Sequence, residues 1–370
     1  MTQQVCWVPF DLMERFVADV FKGVGVPEDD ARICADVLVT ADKRGIDSHG
    51  IGRLKSIYYD RIVKDRIQLP VTQFEVVKDN LATAVVDGHL GMGMVVATRC
   101  MELAIDKARK YGLGMVVARN STHFGIAGYY SIMATKAGMI GLCGTNARPS
   151  IAPTFGVENM LGTNPLVFAF PTDEDFPFVN DYATSITQRG RIEEYAREGK
   201  TCPPGWVIDQ EGLTQTDPAR ILKDLVESKA ALTPLGGIGE ETAGYKGYGF
   251  ATVVEILSSA LQQGAFLKQL LGFEDGKKVP YRIGHFFMAV NISFFTELEA
   301  FKKQTGDLLR QLRASRKAPG QARIYTCGEK EHLAWLGRKS KGVPVDPGLQ
   351  KEILAMRDEL RLHQYHFAFE

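Results

Sequence analysis

A central α/β domain flanked by helical segments from both ends of the chain is the fold this sequence predicts. Two observations carry it. From residue 82 onward, short apolar runs alternate with stretches of helical periodicity. Before residue 65 and after residue 296, apolar positions recur mainly at helical spacing. The 370 residues lean to two domains at about 150 residues each.

Leu12, Met13, Phe16, Val17, Val20 and Phe21 follow Asp11, a candidate N-cap, and stop near Gly23. Pro27-Glu28-Asp29-Asp30 opens a second helix that ends at Gly45, because proline and acids suit a first turn. A third helix is expected over 54–64, and strands over 74–77 and 82–86. Helix 94–111 then closes at Gly112. Strand 114–118, helix 127–137 and strands 139–144, 166–170 and 176–182 come next. Helix 247–262, strand 285–291 and helices 296–314, 331–339 and 347–362 complete the reading. The implied division is 1–75 with 296–370 as one helical domain, and 76–295 as the α/β domain.

Lys plus Arg and Asp plus Glu each number 44, so the formal charge is zero. That argues against non-specific nucleic-acid binding, which needs a cationic excess against phosphate. With 45% hydrophobic and 24% charged residues the chain is of ordinary globular composition, not disordered. Met1–Phe16 has no cationic start before an apolar core, so no secretory signal is expected. The longest stretch without Asp, Glu, Lys or Arg, 120–135, carries Asn, Ser, Thr and His, so no membrane span is expected. Cys6, Cys34, Cys100, Cys143, Cys202 and Cys327 form no C-x-x-C pair and read as reduced thiols of a cytoplasmic protein. No metal-ligand spacing appears, since His363 and His366 lack a third ligand in sequence reach.

Glycine-rich loops are decoys. Gly91-Met92-Gly93-Met94 opens a helix but has Val96 at the third glycine position, so two glycines bringing a helix close to a sheet explain it. Gly244-Tyr245-Lys246-Gly247 is no P-loop, although it puts an ammonium at a helix entrance, where anions are favoured. Asp47-Ser48-His49 holds the residue types of a hydrolase triad, but adjacent side chains are expected to point apart.

Two histidine loops are more informative. In Asp47-Ser48-His49-Gly50-Ile51-Gly52-Arg53, His49 can exchange a proton near neutral pH, Ser48 can relay it, and Arg53 can fork onto a carboxylate. Helix capping by Asp47-Ser48 explains the same residues. Asn120-Ser121-Thr122-His123 lies at the carboxyl end of a strand, where open α/β sheets bind ligands, or else Ser121 or Thr122 caps the next helix. Composition and motifs alone point to an α/β enzyme acting on a small anion.

Taken together, Asp47-Ser48-His49-Gly50, Asn120-Ser121-Thr122-His123, Gly162-Thr163-Asn164-Pro165, Asp181-Tyr182-Ala183-Thr184-Ser185, Tyr245-Lys246-Gly247-Tyr248-Gly249 and Gly328-Glu329 resemble the malate/L-lactate dehydrogenase family, whose members lack a Rossmann fold. The likeness runs from about residue 10 to 350 with the motifs in order. It implies a three-layer α/β/α mixed-sheet cofactor domain, a second helical domain from both termini, and a homodimer. It also implies hydride transfer between NAD, or NADP, and a small 2-hydroxy or 2-oxo acid, malate/oxaloacetate foremost. Lactate, sulfolactate, ureidoglycolate and cyclic-imine carboxylates are the alternatives within this chemistry. A non-catalytic nucleotide sensor and a hydrolase using Ser48 are alternatives outside it.

The resemblance lays the cofactor along Asp181, Tyr182, Ala183, Thr184, Ser185, Ile186 and Thr187, against Tyr245 and Lys246, at Gly328, Glu329 and Lys330, and near His123 and Asn146. It assigns acid/base work to His49 or His123. His49 is the choice made here, relayed by Ser48 and Asp181, with Asp181 raising a histidine's proton affinity. Arg53 clamps the substrate carboxylate, Thr163 adds a donor, and Arg148 meets a second carboxylate. Cys327 stands where relatives often carry proline, and 237–242 is longer than in many of them.

Overall fold

The computed structural model describes residues 5–370. The part of the N-terminal reading that covers residues 1–4 falls outside the described residues. The chain opens with strand β1 (Cys6–Val8) and helices α1 (Phe10–Gly23) and α2 (Glu28–Lys43). Two single 3₁₀ turns (Asp47–His49, Ile51–Arg53), a π-helical turn (Leu54–Tyr59) and α3 (Asp60–Val63) follow. The middle runs β2 (Glu75–Asp79), β3 (Thr83–Asp87), α4 (Gly93–Tyr111), β4 (Leu113–Ser121), α5 (Ala127–Lys136), β5 (Met139–Thr145), β6 (Leu166–Phe170) and β7 (Phe178–Tyr182). A small unit holds α6 (Arg189–Glu198), β8 (Val207–Asp209), β9 (Thr214–Gln215), α7 (Pro218–Val226) and β10 (Ala230–Leu232). Then come α8 (Gly244–Ser259), the hairpin β11 (Phe273–Glu274) and β12 (Lys277–Lys278), β13 (Ile283–Asn291), α9 (Leu298–Ala314), α10 (Glu329–Arg338), β14 (Val343–Val345) and α11 (Pro347–Glu359).

The main sheet has seven strands in the order β2-β3-β4-β13-β5-β6-β7. Only β3 and β4 run parallel; every other pair is antiparallel, so the sheet is mixed. Side-chain alternation sorts its two faces. Val116, Ala118, Phe287 and Ala289 pack on α4 and α5, whereas Val117 and Phe286 meet Val254 of α8 on the other side. This is the α/β/α arrangement the resemblance implied. A separate core joins the chain ends: Phe16, Val20, Leu38 and Tyr58 pack with Val343, Ile353, Met356 and Tyr365, and β1 pairs with β14. Helix α9, which the sequence groups with the terminal helices, is anchored to the loop after β6, where Arg310 forks onto Asp173 at 2.9 and 3.0 Å.

Differences from the sequence reading have local causes. Asp11 does not cap α1. Pro9 takes that position, and Asp11 pairs with Arg15 one turn on. The 54–64 segment widens into a π-helical turn before α3, a deviation often found at functional sites. The Gly91/Gly93 pair is a packing device: a Cβ on Gly93 would lie 2.1 Å from the Thr122 carbonyl. Helix α8 starts three residues earlier than expected, so Lys246 sits in its first turn.

Candidate active site

Between the turns after α2, the ends of β4 and β7, and the start of α10 lies a cleft of about 530 Å³. Its first wall is the His49 loop. The buried Asp42 carboxyl accepts the Ile51 N–H at 2.9 Å, and burial pushes its pKa up to about 8. Gly50 crosses directly above that carboxyl, where an added Cβ would lie 2.1 Å from Oδ1. Arg338 at the end of α10 forks onto the Asp47 carboxylate and also donates to the Asp42 carbonyl at 2.7 Å. Arg53 Nε donates to the Ser48 carbonyl at 2.6 Å. The loop is thus held from below and from the C-terminal helix.

This geometry corrects one expectation. Ser48 Oγ lies 2.9 Å from His49 Nδ1, because the 3₁₀ turn brings the adjacent side chains together. Asp47 is turned away onto Arg338, so the three residues still form no triad.

The second wall is the end of β4. Thr122 does not cap the helix that follows it. Its hydroxyl accepts the Gly93 N–H at 2.9 Å and donates to the Gly91 carbonyl at 2.8 Å, tying down the start of α4. His123 turns into the cleft, its ring nearly parallel to that of His49 with centroids 5.9 Å apart. The π-helical turn delivers Tyr58, whose hydroxyl lies 2.6 Å from His123 Nδ1, and the Gly125 N–H points at the same nitrogen from 3.2 Å. A backbone N–H can only donate, so Nδ1 is the acceptor and the neutral ring carries its proton on Nε2. Behind it, His285 of β13 spends both nitrogens, on Thr145 Oγ1 at 2.7 Å and Ser121 Oγ at 2.8 Å, and stacks on Phe124 at 4.5 Å.

Burial first, then the Arg53 charge, lowers the His49 pKa to about 4. His123 is held well below its usual range by burial, then by His49 and Arg61. Burial lowers His285 to about 3. Asp181 therefore does not raise a histidine's proton affinity as expected. Its Oδ2 accepts the Gly128 N–H at the start of α5 at 2.8 Å, and its charged neighbours are Arg44 and Glu331.

Ser48, His49, His123, Asn146, Thr163, Asp181, Tyr182, Ala183, Gly328 and Lys330 all border the cleft. The other residues singled out do not. Arg53 stands behind His49. Arg148 is exposed, its guanidinium 5.9 Å from the Phe273 ring centroid. Thr184 is buried and donates to the carbonyls of Thr163 and Asn164. Ser185 and Thr187 are buried as well, and the Ile186 N–H binds the Thr233 carbonyl. Tyr245 and Lys246 are exposed on α8, with Nζ 5.7 Å from the tyrosine ring centroid. Glu329 faces inward and accepts the Thr326 N–H while pairing with Arg323. Asn146 acts as a strut, donating to the Ala265 carbonyl and accepting the Gly284 N–H.

Sequence reasoning missed Arg44, Tyr58, His285 and Arg338. Arg44 borders the cleft, and its enclosed Nε has no hydrogen-bond partner.

The malate/L-lactate dehydrogenase family model matches residues 8–354. A malate dehydrogenase from Pyrococcus horikoshii is 43% identical over 338 residues, 91% of each chain. An L-sulfolactate dehydrogenase from Methanocaldococcus jannaschii is 38% identical, covering 95% of this chain and 96% of its own. The crystal structure of malate dehydrogenase from Entamoeba histolytica superposes with a TM-score of 0.93 at 43% identity, over 97% of this chain and 99% of that one.

Proposed function

Since the chain belongs to the malate/L-lactate dehydrogenase family, and is with it a hydroxy acid dehydrogenase using a nicotinamide cofactor, we propose that its substrate pair is malate and oxaloacetate and its cofactor NAD. The observation that carries this is the parallel His49–His123 pair with Arg53 behind it, a proton-handling site beside a fixed cation. The cleft suits a dinucleotide. Its volume lies in the roughly 300–1,000 Å³ usual for small-molecule sites, and Asn180, Gln188 and Lys330 offer donors along its wall.

The cofactor, when bound, accepts the hydride from the 2-hydroxy carbon or returns it. The histidines divide the remaining work. His123, with Nδ1 occupied by two donors, presents Nε2–H toward the substrate oxygen and acts as a neutral electrophile. His49 is paired only with a hydroxyl, which can donate or accept, so it can take the hydroxyl proton and give it back, with Ser48 as relay. Thr163 on the cleft wall offers the carboxylate a donor, and the Arg53 guanidinium behind His49 attracts it through its charge. Arg148 is the proposed second-carboxylate contact, reaching the substrate by a side-chain swing from its exposed position. A panel of 2-oxo acids run with NADH and with NADPH tests the reading. Oxaloacetate with NADH should give the highest kcat/KM; NADH binding without turnover of any oxo acid would instead fit the sensor alternative.

The lowered His49 pKa sets a pH profile. A histidine depressed to about 4 is neutral, and so a competent base, at every pH above that value. The acid limb of log kcat/KM for malate oxidation should therefore fall near pH 4, not near the ordinary histidine value of about 6.5. A limb at the ordinary value would remove His49 from the base role.

The same reading makes the protein a cytoplasmic homodimer, each copy with a discontinuous helical domain (1–75 with 296–370) and a continuous α/β domain (76–295). Cys34, Cys100, Cys143, Cys202 and Cys327 are free thiols, and among the described residues no helix is long and apolar enough to cross a membrane. Helix α8 and the residues after it leave Phe250, Val253, Ile256 and Leu261 exposed, an apolar face suited to a second copy. Val253→Glu with Ile256→Glu should sediment as a monomer at concentrations where the unaltered chain is dimeric. An unchanged sedimentation coefficient would place the interface elsewhere.

A further inference from the structure

We infer that Arg44 binds the diphosphate of the nicotinamide dinucleotide, an inference that rests on the functional reading above. The residue belongs to none of the motifs and enters the site through the backbone. It is the C-cap of α2, and the next residue, Gly45, turns the chain at φ +74° with its missing Cβ only 2.9 Å from Ala334 of α10. That turn fixes Arg44 beneath α10 and sends its side chain into the cleft.

The guanidinium there is incompletely satisfied. Its Nε is enclosed and lacks a partner, and the side chain makes no hydrogen bond or ion pair among the described residues. A guanidinium has five N–H donors, and leaving them unmet inside a protein is costly. Asp181 and Glu331 act on it through their fields, but neither closes to ion-pair distance. The positive end of α5 and the Lys330 side chain border the same cleft. An anion seated between Arg44 and Lys330 would meet the free donors of both, and Asp181, whose Oδ2 accepts the Gly128 N–H, keeps its other carboxyl oxygen for ribose hydroxyls.

Position along the cleft identifies which anion. The proton-handling end is the His49–His123 pair, so the nicotinamide ring belongs there. The histidines come from the turn after α2 and the end of β4, whereas Arg44 is held beneath α10, on the wall that also carries Lys330 and Glu331, which places it further along the cleft. Beyond the nicotinamide and its ribose, the next group of the cofactor is the diphosphate.

Titrations of the unaltered protein, Arg44→Gln and Arg44→Lys with NADH, ADP-ribose and adenosine test this, with melting temperatures as the folding control. Arg44→Gln should weaken NADH and ADP-ribose at least 30-fold and leave adenosine unchanged, with Arg44→Lys intermediate. Inorganic diphosphate should compete with NADH on the unaltered protein. Arg44→Gln that melts normally and binds ADP-ribose as tightly as the unaltered chain overturns the assignment. Should Arg44→Gln fail to fold, Arg44→Lys binding of ADP-ribose at unaltered affinity, or absence of diphosphate competition, overturns it. An unaltered protein that binds neither NADH nor NADPH would instead sink the broader cofactor reading.

Discussion

His49→Ala should reduce turnover of oxaloacetate by roughly 10³-fold, within the range of about 10²–10⁴ that a positioned acid/base contributes, while the Kd for NADH changes by less than about twofold. The reason lies in the two different hydrogen-bond environments. His123 receives the Gly125 N–H and faces the Tyr58 hydroxyl at Nδ1, so protonating that nitrogen would set its proton against a backbone donor. His49 faces only Ser48 Oγ, which adapts to either protonation state. His123→Asn should therefore keep measurable activity, because an amide can still donate to the substrate oxygen, whereas alanine at position 49 carries no proton. The two variants separate the roles in steady-state kinetics with NADH affinity measured alongside. A His49→Ala enzyme with near-normal turnover, or one that has lost NADH binding but kept its chemistry, would contradict the assignment.

Gly50→Ala should be the most damaging substitution that touches no proton-handling group. Its Cβ would fall 2.1 Å from Oδ1 and 2.3 Å from Cγ of the buried Asp42 carboxyl, which also holds the Ile51 N–H. Either the carboxyl or the loop must move. A displacement of about 1 Å at a catalytic group can lower a rate about 10²-fold, and overpacking a buried site typically costs about 1–3 kcal/mol. Turnover and the denaturant midpoint should both fall. Making room with Asp42→Ala in the same chain should return part of the turnover, so that the two changes together cost less than the sum of their separate losses. Two losses that merely add would show that the Asp42–Gly50 contact does not position the His49 loop.

The histidine loops were legible because their chemistry sits in contiguous words at the ends of regular elements. The framework of the sheet was legible because alternation and helical periodicity are local properties. What stayed hidden arrives from far along the chain. His285 reads as one position of a buried strand, and only the register opposite Thr145 and beside Ser121 makes it a strut. Arg338 lies nearly 300 residues from the Asp47 it holds. Tyr58 reaches His123 only because the helix widens, and its apolar spacing gives no hint of that. The cofactor words were read too broadly. Past Ala183 the chain packs inward at Thr184, Ser185 and Thr187, and Glu329 serves its own helix. The unit from α6 to β10 went unread because its strands are two or three residues long.

The central claim is direct hydride transfer between nicotinamide C4 and the 2-carbon of malate or oxaloacetate at the histidine pair. The most direct test supplies oxaloacetate with NADH deuterated at the transferring C4 position and locates the label in the product by mass spectrometry. The account predicts one deuterium per malate, at C2. Bound NADH with unreduced oxaloacetate, or malate whose C2 hydrogen comes from solvent, would contradict it.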